Sequence, residues 1–224
     1  MRTTRSAQFL YRIVRFERLV QMLKTDDWHF AHPSEWEDPY EIRIKNALSV
    51  EMFAQCWCRN GVSDAMWRIY SQNQLGLRIR VKLESLRAEL LDAAEAGNIG
   101  FRIARVKYIN EVEYGVRAGK IALELQRRVT FARASAHLYL KRHAFSHEAE
   151  TRIVVCDFNQ AMEARPSGFK LKLNTRKLID SILVDPRAPD EYVEAYQKYL
   201  KNVLAFPGPV RKSVLYKSEV SREV

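Results

Sequence analysis

TRIVVCDF at residues 151–158, FKLKL at 169–173 and IDSILV at 179–184 are three β-rich runs separated by turn residues, and they decide the fold. Working outward, Leu77, Ile79 and Val81 alternate with Arg78, Arg80 and Lys82, which predicts a strand with one basic face. Further strands are expected at residues 6–15, 28–31, 52–58 and 101–109, with a last short one at 211–217. Between them the period changes. Phe16, Leu19, Val20 and Leu23 follow helical spacing. Ser63 or Asp64 caps a helix carrying Met66, Trp67 and Tyr70, with Gly76 closing the unit. Residues 83–96 form a helix stopped by Gly97, and 121–140 read as mostly helical. Pro189 opens a helix through Val203 with Tyr192, Tyr196 and Tyr199 along one side. Strands and helices mixed this way imply a single α+β domain over residues 1–217, with a mixed or antiparallel β core surrounded by helices and a frayed tail at 218–224.

The 224 residues carry 37 Lys+Arg against 27 Asp+Glu, a net charge of +10, and 47% are hydrophobic. That composition excludes a disordered or acidic tail protein. Cys56, Cys58 and Cys156 form an odd set, and the first two are too close in sequence for an unstrained mutual disulfide, so a reducing, cytoplasmic setting is expected. No run approaches the roughly 18 apolar residues of a membrane span, nor does the N-terminus carry a signal-like apolar stretch. Basic residues are scattered over 78–82, 102–107, 127–133, 141–142 and 170–177. A folded basic surface follows, suited to an anionic ligand or nucleic acid.

Four constellations could carry chemistry. In FSHEAETRIVV at 145–155, Glu148 and Glu150 stand at the mouth of a β run with Arg152 beyond them. Acid, acid and base on one face can hold a carboxylate ionised and aim it at a developing cation; a strand-end ion-pair ladder is the alternative. In CWCRNGVSDAMWRIY at 56–70, Trp57, Trp67 and Tyr70 offer aromatic faces to a nicotinamide or nucleobase, or else pack a core. WEDPYE at 36–41 places Asp38, Tyr40 and Glu41 on a proline-kinked loop. Tyr11 and Arg12 set a ring beside a guanidinium that fits a diphosphate. His143 and His147 are four residues apart, but Ala144 stands where a zinc-peptidase helix carries glutamate, and no metal is expected. Walker, GxGxxG and Gly-x-Ser-x-Gly motifs are all absent from the sequence.

In order, LYRIVRFERL, HFAHPSEWEDPYE, CWCRNGVSDAMWRIY, VKYINEV, KRHAFSHEAETRIVV and IDSILVDP resemble the bacterial family known as domain of unknown function 2971. Its more specific parts are Asp-Pro-Tyr-Glu at 38–41, Met-Trp-x-x-Tyr at 66–70 and Glu-x-Glu-x-Arg at 148–152. Glu37 and Cys58 depart from it, standing where asparagine and serine are usual. The pattern is in turn similar to ADP-ribosyltransferases, which implies their split sheet, NAD as co-substrate, and a toxin or phage-defence effector with an antitoxin or defence-system partner. The resemblance gives Arg12 and Tyr11 to the NAD diphosphate or ribose, Tyr70 and Trp67 to the nicotinamide, and catalysis to Glu150 or Glu148. Two other classes stay open: a non-catalytic nucleic-acid- or partner-binding module, and a nuclease in which Asp38, Glu41, Glu148 and Glu150 converge on Mg²⁺.

Overall fold

Eight consecutive buried residues, Glu150–Asp157, form the strand around which the larger sheet is built. The computed structural model describes residues 8–41, 43–44, 52–158 and 168–217; the expected strand start at Ser6 and the frayed tail at 218–224 lie outside them. In chain order the elements are β1 (Phe9–Val14), α1 (Phe16–Thr25), β2 (Asp27–Ala31), β3 (Met52–Cys58), α2 (Asp64–Tyr70), β4 (Leu77–Lys82), α3 (Leu83–Gly97) and β5 (Ile99–Arg105). There follow β6 (Lys107–Ile109), α4 (Glu111–Arg127), α5 (Phe131–Ala134), β7 (Leu140–Arg142), β8 (Glu150–Asp157), β9 (Gly168–Lys172), α6 (Thr175–Leu178), β10 (Ile179–Val184), α7 (Asp190–Lys198) and β11 (Val210–Lys212). The expected α+β class with a mixed, largely antiparallel β core and surrounding helices is what the chain adopts.

Two compact units share the chain. The first comprises the described parts of Met1–Asp26, Asn60–Leu83 and Asn174–Val224; the second comprises those of Asp27–Arg59 and Glu84–Leu173. In the first unit the sheet order is β11-β10-β4-β1, with β10 and β11 parallel and the other pairs antiparallel. Burial along β4 alternates as its sequence predicts: Leu77, Ile79 and Val81 are buried, while the arginines between them are part-exposed.

The second unit's sheet runs β9-β2-β3-β8-β5, antiparallel throughout. With β3 on one side and β5 on the other, β8 is covered on both edges, and its Ile-Val-Val run is the continuous apolar pattern of an interior strand. The register sets Cys56 opposite Arg152 and Cys58 opposite Glu150. No disulfide joins Cys56, Cys58 or Cys156.

Three elements differ from the sequence expectation. The strand expected over 101–109 divides at Val106, whose N–H still donates to the Glu150 carbonyl opposite it at 3.0 Å and so closes the β5–β8 ladder. Its second part, β6, pairs in parallel with β7 in a separate two-stranded sheet. The helix expected over 121–140 instead begins at Glu111, N-capped by the Asn110 side chain, and ends at Arg127. Residues 128–142 then form α5, a 3₁₀ turn and β7 rather than more helix. The last strand is only Val210–Lys212.

Candidate functional site

The second unit gathers three carboxylates around two cations at the start of β8. Glu150 is its first residue, fixed by two main-chain bonds: its N–H donates to the Tyr108 hydroxyl at 2.8 Å, and its carbonyl accepts from Val106. Two positions along, Arg152 shares the Glu150 face by strand alternation. Its Nε donates to Glu150 Oε1 at 2.7 Å and its Nη2 to Oε2 at 3.0 Å, a bidentate pair. The same Nη2 meets both oxygens of Glu41 at 3.0 and 2.9 Å, and Nη1 donates to the Leu138 carbonyl at 2.7 Å. Trp36 covers the guanidinium, its ring 4.2 Å from Cζ.

Lys141 completes the network. Its ammonium lies 2.6 Å from Glu148, 3.5 Å from Glu150 and 3.5 Å from Glu41. Glu148 is not on the strand. It ends a 3₁₀ turn, and Ala149 follows at φ 44° in the left-handed region. That kink lets two acids two residues apart reach one ammonium from different directions.

All five charged side chains are buried; Arg152 is 1% exposed and Glu150 3%. Burial opposes ionisation of Glu150, but the charge and hydrogen bonds of Arg152, with the charge of Lys141, hold its carboxyl below the ordinary range. Glu41 goes the other way. There burial outweighs the attraction of Arg152 and Lys141 and raises its pKa above the usual value. Lys141 is buried too, yet the surrounding acids raise its pKa and keep it charged. Burial pushes Tyr108 up to about 12, so it stays a neutral hydroxyl beside Glu150. Three acids facing two cations leave one surplus negative charge, and Glu41 is the acid whose ionisation its surroundings disfavour.

Around this network sits a cationic–aromatic rim. Asp38 accepts from the Tyr40 N–H at 3.1 Å and pairs with Arg142 at 3.2 Å. Tyr40 lies under two guanidinium groups, Arg43 at 3.8 Å and Arg142 at 4.6 Å from its ring centre. Tyr114 stands edge-on to it at 5.5 Å and donates its hydroxyl to the Tyr40 carbonyl.

Of the residues expected from sequence, Glu148, Glu150, Arg152, Asp38, Tyr40 and Trp57 belong to the second unit, and Tyr11, Arg12, Trp67 and Tyr70 to the first. Glu148, Glu150 and Arg152 do come together. Trp57 and Trp67 need correction as stacking platforms: both are buried, and Trp57 packs face to face on Trp28 at 5.8 Å, so these indoles belong to the cores. Tyr11 is part-buried between Arg78, 4.9 Å from its ring, and Gly61, where a Cβ would lie 2.6 Å from the Tyr11 ring. Arg12 is part-exposed on β1, and Tyr70 is 48% exposed. The Mg²⁺ arrangement also changes: Glu41, Glu148 and Glu150 do converge, but on Lys141, while Asp38 turns to Arg142. Among the described residues no group of three or more His, Cys, Asp or Glu is arranged to hold a metal ion, and no helix is long and apolar enough to cross a membrane.

Lys141, Tyr108 and Trp36 were missed from sequence. A signal existed for the lysine alone, seven residues before one acid and nine before the other.

A family model described as "Protein of unknown function (DUF2971)" matches residues 66–153, which bears out the family resemblance over the stretch carrying Met66, Trp67, Tyr70, Glu148, Glu150 and Arg152. No curated protein matches the sequence. Similar solved structures include DarT of Thermus sp. 2.9 in complex with carba-NAD+, at 13% identity over 93% of this chain and 97% of that one, with a TM-score of 0.44. The same protein with NAD+ aligns at 12% identity, covering 94% and 98% of the two chains, with a TM-score of 0.42. With ADP-ribosylated ssDNA the figures are 13%, 94%, 96% and 0.44.

Proposed function

We propose that this chain is an NAD-using ADP-ribosyltransferase in which Glu150 is the catalytic carboxylate. The observation that carries the reading is Glu150 itself: the first residue of an interior strand, held ionised and oriented by Arg152 and Lys141. An acid so placed matches the glutamate at a strand start that the family resemblance calls for. In the transfer, the bond from ribose C1′ to the nicotinamide nitrogen breaks and its electron pair leaves with nicotinamide. The oxocarbenium-like sugar is then attacked at C1′ by the acceptor, which loses its proton. A fixed, water-poor carboxylate stabilises that cation and accepts from a ribose hydroxyl without reorganising. Arg152 and Lys141 are positioning residues, since the donors of Arg152 are committed to Glu41, Glu150 and the Leu138 carbonyl. Tyr11 and Arg12 are proposed to grip NAD. The net charge of +10 favours a nucleic-acid acceptor, and a toxin or defence role with a protein partner belongs to the same reading.

One observation favours a second reading. Both oxygens of Glu150 already face cations and the side chain is buried, as a purely structural network in a nucleic-acid-binding module would have it. The test uses NAD labelled in its adenylate part, with DNA, RNA and protein as acceptors. The wild type is expected to release nicotinamide and transfer label, and Glu150→Gln to lower both at least about 100-fold at unchanged NAD affinity. Absence of both products from the wild type, alongside nucleic-acid binding with a steep salt slope, would establish the module instead.

A further inference from the structure

We infer that a cavity in the first unit is a binding site for one nucleotide unit, with Tyr70 stacking on the base. The cavity, about 680 Å³, opens between the end of β1, the start of α1, the end of α2 and the turn leading into β4. That volume suits a small ligand. Two aromatic rings of its wall, Phe16 and Tyr196, stack at 4.4 Å with planes 12° apart, and Phe16 is in turn met edge-on at 5.6 Å by Tyr199, which does not itself line the cavity. Tyr70 lines it with nearly half its surface exposed.

The polar side is the turn at 71–76, which contributes Gln72 and Asn73. Asn73 Oδ1 accepts from the Leu75 N–H at 3.1 Å, which holds this carboxamide in place at the cavity lining. This exposed turn is held to one shape by several devices. Gln74 sits at φ 61°, a left-handed conformation unusual for a residue with a side chain. Ser71 Oγ accepts from the Gly76 N–H at 2.9 Å, and a Cβ at Gly76 would lie 2.7 Å from the Ser71 side chain. Arg187, paired at 2.8 Å with the fully buried Asp185, donates to the carbonyls of Trp67 and Ser71 at 3.0 Å each. Strain and an ion pair anchored on a buried acid, together fixing a solvent-facing amide pair, are the marks of a preorganised recognition loop.

Arg15 and Glu17 complete the lining. They are 4.0 Å apart with side chains 83% and 72% exposed, a pairing weak enough to give way to a ligand. A planar face, carboxamides for a base edge, a guanidinium for phosphate and a carboxylate for sugar hydroxyls together describe a nucleotide. Ile13 lines the cavity, and strand alternation turns Arg12 to the opposite face of β1, so Arg12 does not share this site; Tyr70, which the family resemblance gives to the nicotinamide, is here assigned to the base of a separate nucleotide. The ligand is either a free 5′-monophosphate or one residue of a single strand.

Calorimetric titration of the full chain with AMP, GMP, CMP, UMP, adenosine, ribose 5-phosphate and single-stranded heptanucleotides tests this. At least one nucleotide is expected to bind, Tyr70→Ala to weaken it at least tenfold, and Tyr70→Phe to restore it. Arg15→Ala should weaken the nucleotide and leave adenosine unchanged. Heptanucleotides binding more tightly than monophosphates assign the site to nucleic acid; equal affinity assigns it to free nucleotide. Ribose 5-phosphate binding as well as AMP, an unaffected Tyr70→Ala, or no binding by any ligand overturns the proposal. These readouts need no turnover, so their failure and a failure of nicotinamide release are separate results.

Discussion

Each unit pairs an arginine with a buried carboxylate, and the two pairs differ in what surrounds them. In the first unit Asp185 and Arg187 are matched one to one, and the remaining donors of Arg187 close two carbonyls at the end of α2. In the second, Arg152 serves Glu41 and Glu150 together, and Lys141 adds only one more charge against a third acid, Glu148. A matched pair fixes backbone. A pair short of positive charge favours ionisation of one carboxylate and disfavours that of another, and so shifts two acids in opposite directions within one cluster.

The largest effect that can break this comparison is Arg152→Met. Three buried carboxylates would be left with Lys141 alone, and a loss of about 3–5 kcal/mol is expected from denaturant midpoints, with nicotinamide release abolished. A loss below about 1 kcal/mol would mean the network is solvated and the contrast illusory. Arg187→Ala should cost about 2–3 kcal/mol, because Asp185 stays buried without its partner; being a scaffold change, it should spare catalysis by the surviving folded fraction.

His137, beside Arg152, sharpens the picture through pH. Burial lowers its pKa to about 4, and its Nδ1 has no hydrogen-bond partner. The unfolded chain protonates this ring near 6.5 while the folded chain resists until about 4, so stability should fall as pH drops through that window, by up to about 3 kcal/mol. His137→Phe should flatten the urea-unfolding profile between those values; an unchanged profile would show that the ring titrates in the native state.

The smallest effect is Glu41→Gln, within about 1 kcal/mol of wild type at neutral pH. A carboxylate whose pKa is raised on folding stabilises at low pH and loses that contribution as pH rises through its titration. The amide should therefore gain on wild type as pH rises above the ordinary carboxylate range, whereas a loss there would mean Glu41 is an ordinary ionised partner.

Sequence patterning made β4, β8, β10 and the Ser63 cap of α2 legible, because alternation, an apolar run and a side-chain oxygen three residues before an orphan N–H are local signals. It misplaced α4, whose exposed glycines Gly115 and Gly119 weaken the helical pattern where the helix begins. Glu150 and Arg152 were legible as neighbours on one strand face. The contact of Arg152 with Glu41, 111 residues away, and the assembly of both acids with Lys141 were not, since the network exists only after the strands pair. Trp57 and Trp67 misled for the converse reason: an indole looks alike in sequence whether it meets a ligand or, as Trp57 does, another indole.

The order in which the two units draw on the chain has a kinetic consequence. The second unit's segments interrupt the first unit's, so β4 lacks one of its two neighbours until residues 179–184 emerge from the ribosome. A nascent or C-terminally truncated chain would expose the Leu77–Lys82 edge as a template for wrong pairing. Folding of the first unit must wait for residues 179–184 and proceed at the millisecond-to-second pace of nonlocal sheets. Neither unit can be produced by cutting out one continuous segment of the gene.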